Sequence, residues 1–233
     1  MDLHAWCWNV LREGFDEEIQ KGNDEPPRQR ETEVKFEGGH ETYERIVRHL
    51  RVSLGFATEN QGSNQRLHFY FDGTEATRKS DERVRLVVAP GEWVRYDFKA
   101  PLKNGQPGSK EVERRYPKPI PVAEAIANLI AVADERKDRE TLRLFKNSPG
   151  IEFALLGNHH KTEAFIDGLK LEVSWDDLIL LDSGTPLSEV EIELKRGPIP
   201  LFRKLVESLE RKLLLKRTQA SKYQQALALK AQK

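Results

Sequence analysis

Alternating apolar and polar residues run through most of the chain, and this pattern predicts β-strands. In residues 31–38 (ETEVKFEG) and 187–195 (LSEVEIELK), every second residue is charged or polar and most of those between are apolar. Since successive side chains of a strand point to opposite faces, each segment has one charged and one apolar face. Further strands are predicted at 67–73, 82–88, 92–100, 109–116, 151–156, 160–167 and 169–176. Their hairpin-like spacing favours one antiparallel sheet or a closed barrel.

Apolar residues at helical spacing interrupt the strands and predict helices that pack outside the sheet. These helices are expected at 41–55, 121–137, 138–146, 201–214 and 221–230. An amphipathic helix is also predicted at 3–19, and the polar segment KGNDEPPRQR after it is typical of a linker. We therefore divide the chain into an N-terminal helix and linker, residues 1–30, and one domain, residues 31–233.

A short pattern occurs near both ends of the predicted domain. Glu31-Thr-Glu33-Val-Lys35 and Glu191-Ile-Glu193-Leu-Lys195 are each followed by a glycine and a predicted helix. The echo indicates either a two-fold pseudo-repeat or a chance coincidence.

Composition excludes several classes of protein. The 233 residues contain 38 Lys plus Arg and 38 Asp plus Glu, so the net charge is zero and specific nucleic-acid binding is not expected. The single cysteine, Cys7, excludes an internal disulfide framework. No apolar run is long enough to span a bilayer, and the N-terminus lacks a signal-peptide pattern. We expect a soluble cytoplasmic protein without a membrane partner, and the sequence leaves a homodimer open.

The charged strand faces allow two interpretations. They are either solvated, as on any one-sided antiparallel sheet, or turned inward by closure of the sheet. A charged interior is expensive unless its groups pair or hold ions, so it would indicate a function. Glutamate oxygens suit Mg²⁺ or Mn²⁺, and arginines suit a polyanion such as a triphosphate. His159 and His160 would point to opposite faces, so zinc is not expected, and no P-loop motif is present.

The order of several short motifs resembles that of the CYTH superfamily, the triphosphate tunnel metalloenzymes. ETEVK (31–35) is similar to the E-x-E-x-K signature of that family, and SEVEIELKRG (188–197) to its closing E-x-E strand. The motifs between and after them that are also similar are YFDG (70–73), RVRLV (83–87), FKAP (98–101), LEVSWDD (171–177) and SKY (221–223). The resemblance covers about residues 31–225.

This resemblance implies an α+β fold built on an eight-stranded antiparallel β-barrel, a tunnel with helices packed outside. It also implies divalent-metal-dependent hydrolysis of a triphosphate or, in some members, cyclisation of ATP. The implied ligands of Mg²⁺ or Mn²⁺ are Glu31, Glu33, Asp176, Glu191 and Glu193. The implied phosphate-binding residues are Lys35, Arg83, Arg85, Lys99, Lys161 and Lys222, and Lys35 and Asp176 would be catalytic. Asp177 is an alternative to Asp176, and Lys161 stands on a strand where the family often has an arginine.

A small molecule containing a triphosphate is the expected partner, with inorganic triphosphate as the leading substrate. Thiamine triphosphate is the first alternative and would need an aromatic platform, for which Trp93 and Trp175 are available. Trp175 is adjacent to Asp176 and is expected to face outward. ATP cyclisation is the next alternative, and the last is a non-catalytic module that binds polyphosphate or RNA ends.

Overall fold

The computed structural model describes residues 32–71, 83–89, 93–101, 109–116 and 151–231. The predicted helices at 3–19, 121–137 and 138–146, the N-terminal linker and Glu31 lie outside these residues.

The described strands form a single antiparallel sheet, as their alternating pattern predicts. Its nine strands follow one another in space in the order β5-β4-β3-β2-β6-β7-β8-β1-β9. The strands are β1 (Glu33–Glu37), β2 (Ala57–Phe71), β3 (Arg83–Ala89), β4 (Trp93–Pro101), β5 (Ser109–Tyr116), β6 (Ile151–Ile166), β7 (Leu169–Leu180), β8 (Thr185–Arg196) and β9 (Arg217–Thr218). Together with the helices, this sheet confirms the α+β class.

The sheet differs from the predicted eight-stranded closed barrel. Among the described residues it has nine strands and is not closed, with β5 and β9 as its outermost strands. The physical reason lies at β1, where Lys35 pairs with Thr218 and Phe36 with Arg217 of β9. A short strand that the sequence did not predict therefore occupies the edge of β1 that a closing strand would use.

Strand β6 is longer than the sequence indicates. Two strands were predicted at 151–156 and 160–167, whereas one strand continues through Gly157. A Cβ at this position would lie 1.8 Å from the backbone oxygen of Asp177. Gly157 is thus required where β6 closely approaches β7, and it does not interrupt the strand.

Within the described residues, three helices accompany the sheet at positions that periodicity predicts. Helix α1 (His40–Arg48) continues into a π-helical turn (His49–Ser53), and α2 and α3 span Ile199–Leu213 and Lys222–Ala231. The two E-x-E-x-K strands, β1 and β8, are each followed by a glycine of positive φ: Gly38 at 132° and Gly197 at 126°. The echo in the sequence therefore corresponds to the same strand–glycine–helix arrangement at both places.

The main hydrophobic core lies between one face of the sheet and helices α1 and α2. Phe36, Val173 and Ile192 from the strands pack there with Ile46 of α1 and Phe202 of α2. Helix α3 lies elsewhere: its Tyr223 and Ala226 pack in a second cluster with Tyr70, Phe153 and Leu178. Register places these three strand residues on the same sheet face as the charged side chains, so α3 covers an apolar part of that face.

No helix within the described ranges combines the length and the apolar character needed to cross a membrane.

Candidate active site

The charged side chains that alternation placed on one face lie side by side across neighbouring strands. Glu33 of β1 pairs with Glu193 of β8, which pairs with Glu172 of β7. The register continues through Glu163 to Glu59, so one row across five strands consists of glutamates. Like charges in direct cross-strand contact repel each other, so this row requires cations around it.

The sequence allowed this face to be solvated or internal, and the structure shows that its centre is buried. Asp176, Glu189 and Lys222 are 3%, 1% and 7% exposed, respectively. Ionic groups at this depth are stable only when they are closely paired.

The ammonium group of Lys222, at the beginning of α3, lies among three carboxylates. Its Nζ is 2.7 Å from Glu191 Oε1, 2.8 Å from Glu189 Oε1 and 2.9 Å from Asp176 Oδ2. Burial alone would lower the pKa of Lys222, but these carboxylates raise the pKa well above its usual value. The lysine is therefore charged at neutral pH and connects β7, β8 and α3.

Lys35 supplies a second cation to the same cluster from β1. Its Nζ is 3.1 Å from Glu189 Oε1 and 3.5 Å from Glu33 Oε1, and it also donates a hydrogen bond to Glu191. Burial opposes its charge, but the attraction of the three glutamates is larger and raises its pKa. Lys35 and Lys222 thus both contact the carboxylates of Glu189 and Glu191 on β8.

Asp176 lies inside the cluster and Asp177 does not. Asp176 Oδ1 is hydrogen-bonded to His159 Nδ1 at 2.7 Å, and its other oxygen contacts Lys222. Burial would raise its pKa, but Lys222 and then His159 hold the pKa well below its usual value. Asp177 is exposed, because the next residue of a strand points to the other face.

Glu189 is the most deeply buried carboxylate of the cluster. Its side chain is fully shielded from solvent, and Gln225 of α3 donates a hydrogen bond to it at 2.7 Å. Burial, assisted by the neighbouring charge of Glu191, raises its pKa, although Lys222 and Lys35 act in the opposite direction. The carboxyl group of Glu189 therefore binds a proton more readily than that of an exposed glutamate.

A second ionic network surrounds the glutamate row. Lys161 Nζ lies 2.6 Å from Glu172 Oε2, and Lys195 bridges Glu172, at 3.3 Å, and Glu193. Burial would raise the pKa of Glu172, but Lys195 and Lys161 lower it. Lys161 thus engages a carboxylate in this structure, and its predicted contact with phosphate remains a proposal.

Basic residues lie on the same face of the sheet, in the half toward β5. Arg83 and Arg85 of β3 are 8% and 6% exposed, and Arg85 pairs in register with Tyr70 of β2. Arg66 lies nearby, and burial followed by repulsion from Arg95 lowers its pKa to about 10. Lys99 pairs with Arg83 in the β3–β4 register. Carboxylates therefore predominate on β1, β7 and β8, and arginines on β2 and β3.

The structure brings together in one cluster five of the ten predicted site residues that it describes. Lys35, Asp176, Glu191 and Lys222 form the cluster, with Glu33 at its edge, whereas Glu31 lies outside the described residues. Sequence reasoning omitted Glu189 and His159. Alternation had already placed Glu189 on the charged face, but the contact of His159 with Asp176 depends on the β6–β7 register.

The two tryptophans considered as platforms have different surroundings. Trp175 faces outward as predicted, with its indole stacked on His160 at 4.4 Å and close to His40 at 5.1 Å. Trp93 is buried, and the guanidinium groups of Arg66 and Arg95 lie 5.2 and 6.0 Å from its ring centre. Neither indole is an open stacking surface in this structure.

The chemistry of the cluster suits a hard divalent cation. Within the residues that the structure describes, no group of three His, Cys, Asp or Glu side chains is arranged to hold a metal ion. However, three carboxylates surround the ammonium group of Lys222, which stands in for a cation. Oxygen donors around a positive charge are the type of site that Mg²⁺ and Mn²⁺ prefer, so the residues fit such an ion.

Comparison with solved structures shows the fold. A protein from Pyrococcus horikoshii OT3 has a TM-score of 0.50 and 18% identity, covering 85% of this chain and 98% of that one. This chain is therefore similar to that protein in its fold, over most of the length of both.

Two further similar structures have lower scores. A proposed adenylate cyclase from Vibrio parahaemolyticus has a TM-score of 0.46 and 14% identity, covering 86% of this chain and 98% of that one. A proposed adenylyl cyclase from Hippeastrum, described as having a dominant triphosphatase activity, has a TM-score of 0.46 and 17% identity, covering 84% and 93%. No family model and no curated protein matches the sequence.

Proposed function

We propose that the chain is a divalent-metal-dependent triphosphatase that hydrolyses inorganic triphosphate to diphosphate and phosphate. The observation that carries the proposal is the division of one buried sheet face into a carboxylate region and an arginine region. Asp176, Glu189 and Glu191 mark the first region, and Arg83 and Arg85 the second. A metal–triphosphate complex has the charge distribution that such a face would bind.

The proposed metal ligands are glutamates on two adjacent strands. Glu33 of β1 and Glu193 of β8 are register partners, and Glu191 lies two residues from Glu193 on the same face. Glu31 and Asp176 complete the proposed set. A bound Mg²⁺ or Mn²⁺ would neutralise phosphate charge and lower the pKa of a coordinated water.

The basic side chains would bind and orient the triphosphate. Arg83 and Arg85 can each donate two parallel hydrogen bonds to phosphate oxygens, with Lys99 adjacent in register. Lys35 and Lys222 remain charged because the surrounding carboxylates raise their pKa values. In the proposed mechanism, these two ammonium groups would stabilise negative charge on the leaving diphosphate.

Asp176 would orient the attacking water and would not remove its proton. The lowered pKa of its carboxyl makes it a weak base, which is ionised at every physiological pH. His159 and Lys222 each contact one of its oxygens and fix its position.

The surroundings of the tryptophans support inorganic triphosphate over thiamine triphosphate. A thiazolium or pyrimidine ring would need an accessible aromatic surface, whereas Trp93 is 7% exposed and engaged by two guanidinium groups. Thiamine triphosphate, ATP and a purely binding role become outcomes of the following test.

Phosphate release should be measured with inorganic triphosphate, thiamine triphosphate and ATP, each with Mg²⁺, Mn²⁺ or a chelator. Cyclic AMP should be assayed in the ATP reactions. We expect metal-dependent release from inorganic triphosphate, retained by the control Glu41→Gln on the exposed surface of α1 and lost in Glu191→Gln. Tight binding of triphosphate without turnover under every condition would contradict the proposed activity.

A further inference from the structure

Strand β2 carries two buried polar groups that the proposed mechanism does not use. His68 is 2% exposed and Tyr70 is 1% exposed. Within the described structure, neither ring nitrogen of His68 nor the hydroxyl of Tyr70 has a hydrogen-bond partner. Residues 68 and 70 of a strand share a face, and Tyr70 pairs with Arg85 in register. Buried polar groups without partners are rare, so these two require an explanation.

Burial and the charges near His68 favour the neutral form of its imidazole. Burial and the positive charge of Arg85 hold its pKa well below its usual value, with a further contribution from Arg66. The imidazole is therefore neutral at physiological pH, with one N–H donor and one acceptor nitrogen.

The missing partner for the N–H of His68 is a hydrogen-bond acceptor. Arg66, Arg85 and Lys222, the cations that influence His68, offer only donors. Asp176 also influences His68, but its oxygens contact His159 and Lys222, and neither ring nitrogen of His68 is hydrogen-bonded to it. An oxyanion placed beside these cations would supply the acceptor.

We propose that His68 donates a hydrogen bond from its imidazole N–H to a phosphate oxygen of the bound triphosphate, and that the Tyr70 hydroxyl is a second donor. This inference rests on the proposed function, because it assigns two further contacts to the same substrate. A metal cation is a poor occupant of this position, since Arg66 and Arg85 would repel it. The arginine region thereby extends along β2, with a neutral donor between charged ones.

The test is the binding of inorganic triphosphate, measured by calorimetry with a chelator so that catalysis does not interfere. His68→Leu removes both ring nitrogens and preserves much of the volume, whereas His68→Gln retains an N–H donor. His40→Gln is the matched control, since the His40 side chain is 64% exposed. We expect His68→Leu to raise the Kd at least tenfold, as for loss of a hydrogen bond to a charged group. His68→Gln should bind more tightly than His68→Leu, and His40→Gln should match the wild type.

A measurement on the wild type avoids any dependence on the folding of the variants. The ¹⁵N resonances of the His68 imidazole, assigned by their loss in His68→Gln, should shift when inorganic triphosphate is added. Unchanged resonances at saturating triphosphate, or an unchanged Kd in folded His68→Leu, would overturn the inference.

The outcomes separate this inference from the proposed function. Triphosphate binding that weakens in His68→Leu, in a protein without hydrolytic activity, would support the role of His68 and reject the triphosphatase. Hydrolysis by the wild type, together with an unchanged Kd and KM in His68→Leu, would support the triphosphatase and reject the role of His68. A wild type that binds neither triphosphate nor diphosphate would overturn both.

Discussion

Replacing Lys222 by methionine should destabilise the protein strongly at neutral pH. The substitution keeps most of the side-chain volume and removes the charge that Asp176, Glu189 and Glu191 share at 2.7–2.9 Å. Removal of one partner from a buried ion pair costs about 3–5 kcal/mol, because the other charge stays buried without compensation. Lys35 still contacts Glu189 and Glu191 in the variant. We therefore expect the free energy of unfolding to fall by an amount within this range.

The stability of the same variant should depend on pH differently from that of the wild type. In the wild type, the lowered pKa of Asp176 contributes stability above its unfolded pKa and loses it as the pH falls through the folded value. Without Lys222, burial raises the pKa values of the three carboxyl groups, and the folded state takes up protons. Acidification from pH 7.5 to 5.5 should therefore narrow the difference in unfolding free energy between variant and wild type.

Urea denaturation at pH 7.5 and 5.5 measures both effects. Lys204→Met, on the exposed surface of α2, is the matched control and should change stability by no more than about 0.5 kcal/mol. Adding Mg²⁺ should stabilise Lys222→Met more than the wild type, since a cation can occupy the vacated carboxylates. A loss below about 1 kcal/mol at pH 7.5, or a difference that widens at pH 5.5, would refute this reasoning.

Three further changes test other parts of the structure. Glu191→Gln should abolish metal-dependent phosphate release while circular dichroism shows the native fold; near-normal turnover would reject this carboxylate as a ligand. Arg85→Ala should raise the KM for triphosphate about tenfold or more, whereas Arg203→Ala on the exposed surface of α2 should not; equal steady-state constants would argue against the arginine region. Gly157→Ala should destabilise the protein by about 1–3 kcal/mol or more, because the added Cβ would lie 1.8 Å from Asp177 O; an unchanged urea midpoint would show that β6 and β7 separate easily.

Local patterns predicted most of the described fold. Alternation identified β1, β7 and β8 and their charged face, since a period of two is a direct consequence of strand geometry. The prediction of two strands in place of β6 was wrong, and β9 was not predicted. Both depend on contacts between distant segments: Gly157 on the backbone of Asp177, and Arg217 on its pairing with Phe36.

In the candidate site too, residues in local motifs could be predicted, and residues placed by contacts between distant segments could not. Lys35, Glu191 and Lys222 could be selected from their motifs, and the structure brings their side chains together. Two histidines in sequence gave no reason to choose His159, because only the pairing of β6 with β7 places it opposite Asp176. Burial of Glu189 depends on α3 lying over the face, which no local pattern encodes.

The two-residue strand β9 has a consequence for association between molecules. A strand at the edge of a sheet presents unpaired backbone groups that can template pairing with another chain and lead to aggregation. The backbone oxygen of Lys216 accepts a hydrogen bond from Glu37 N, and β9 pairs with Lys35 and Phe36, so the strand that carries Glu33 and Lys35 has neighbours on both sides. Lys216 and Arg217 add positive charge at this edge, where each pairs with a glutamate. The segment after α2 thus covers the part of the β1 edge at Lys35, Phe36 and Glu37, where the backbone of another chain could otherwise pair.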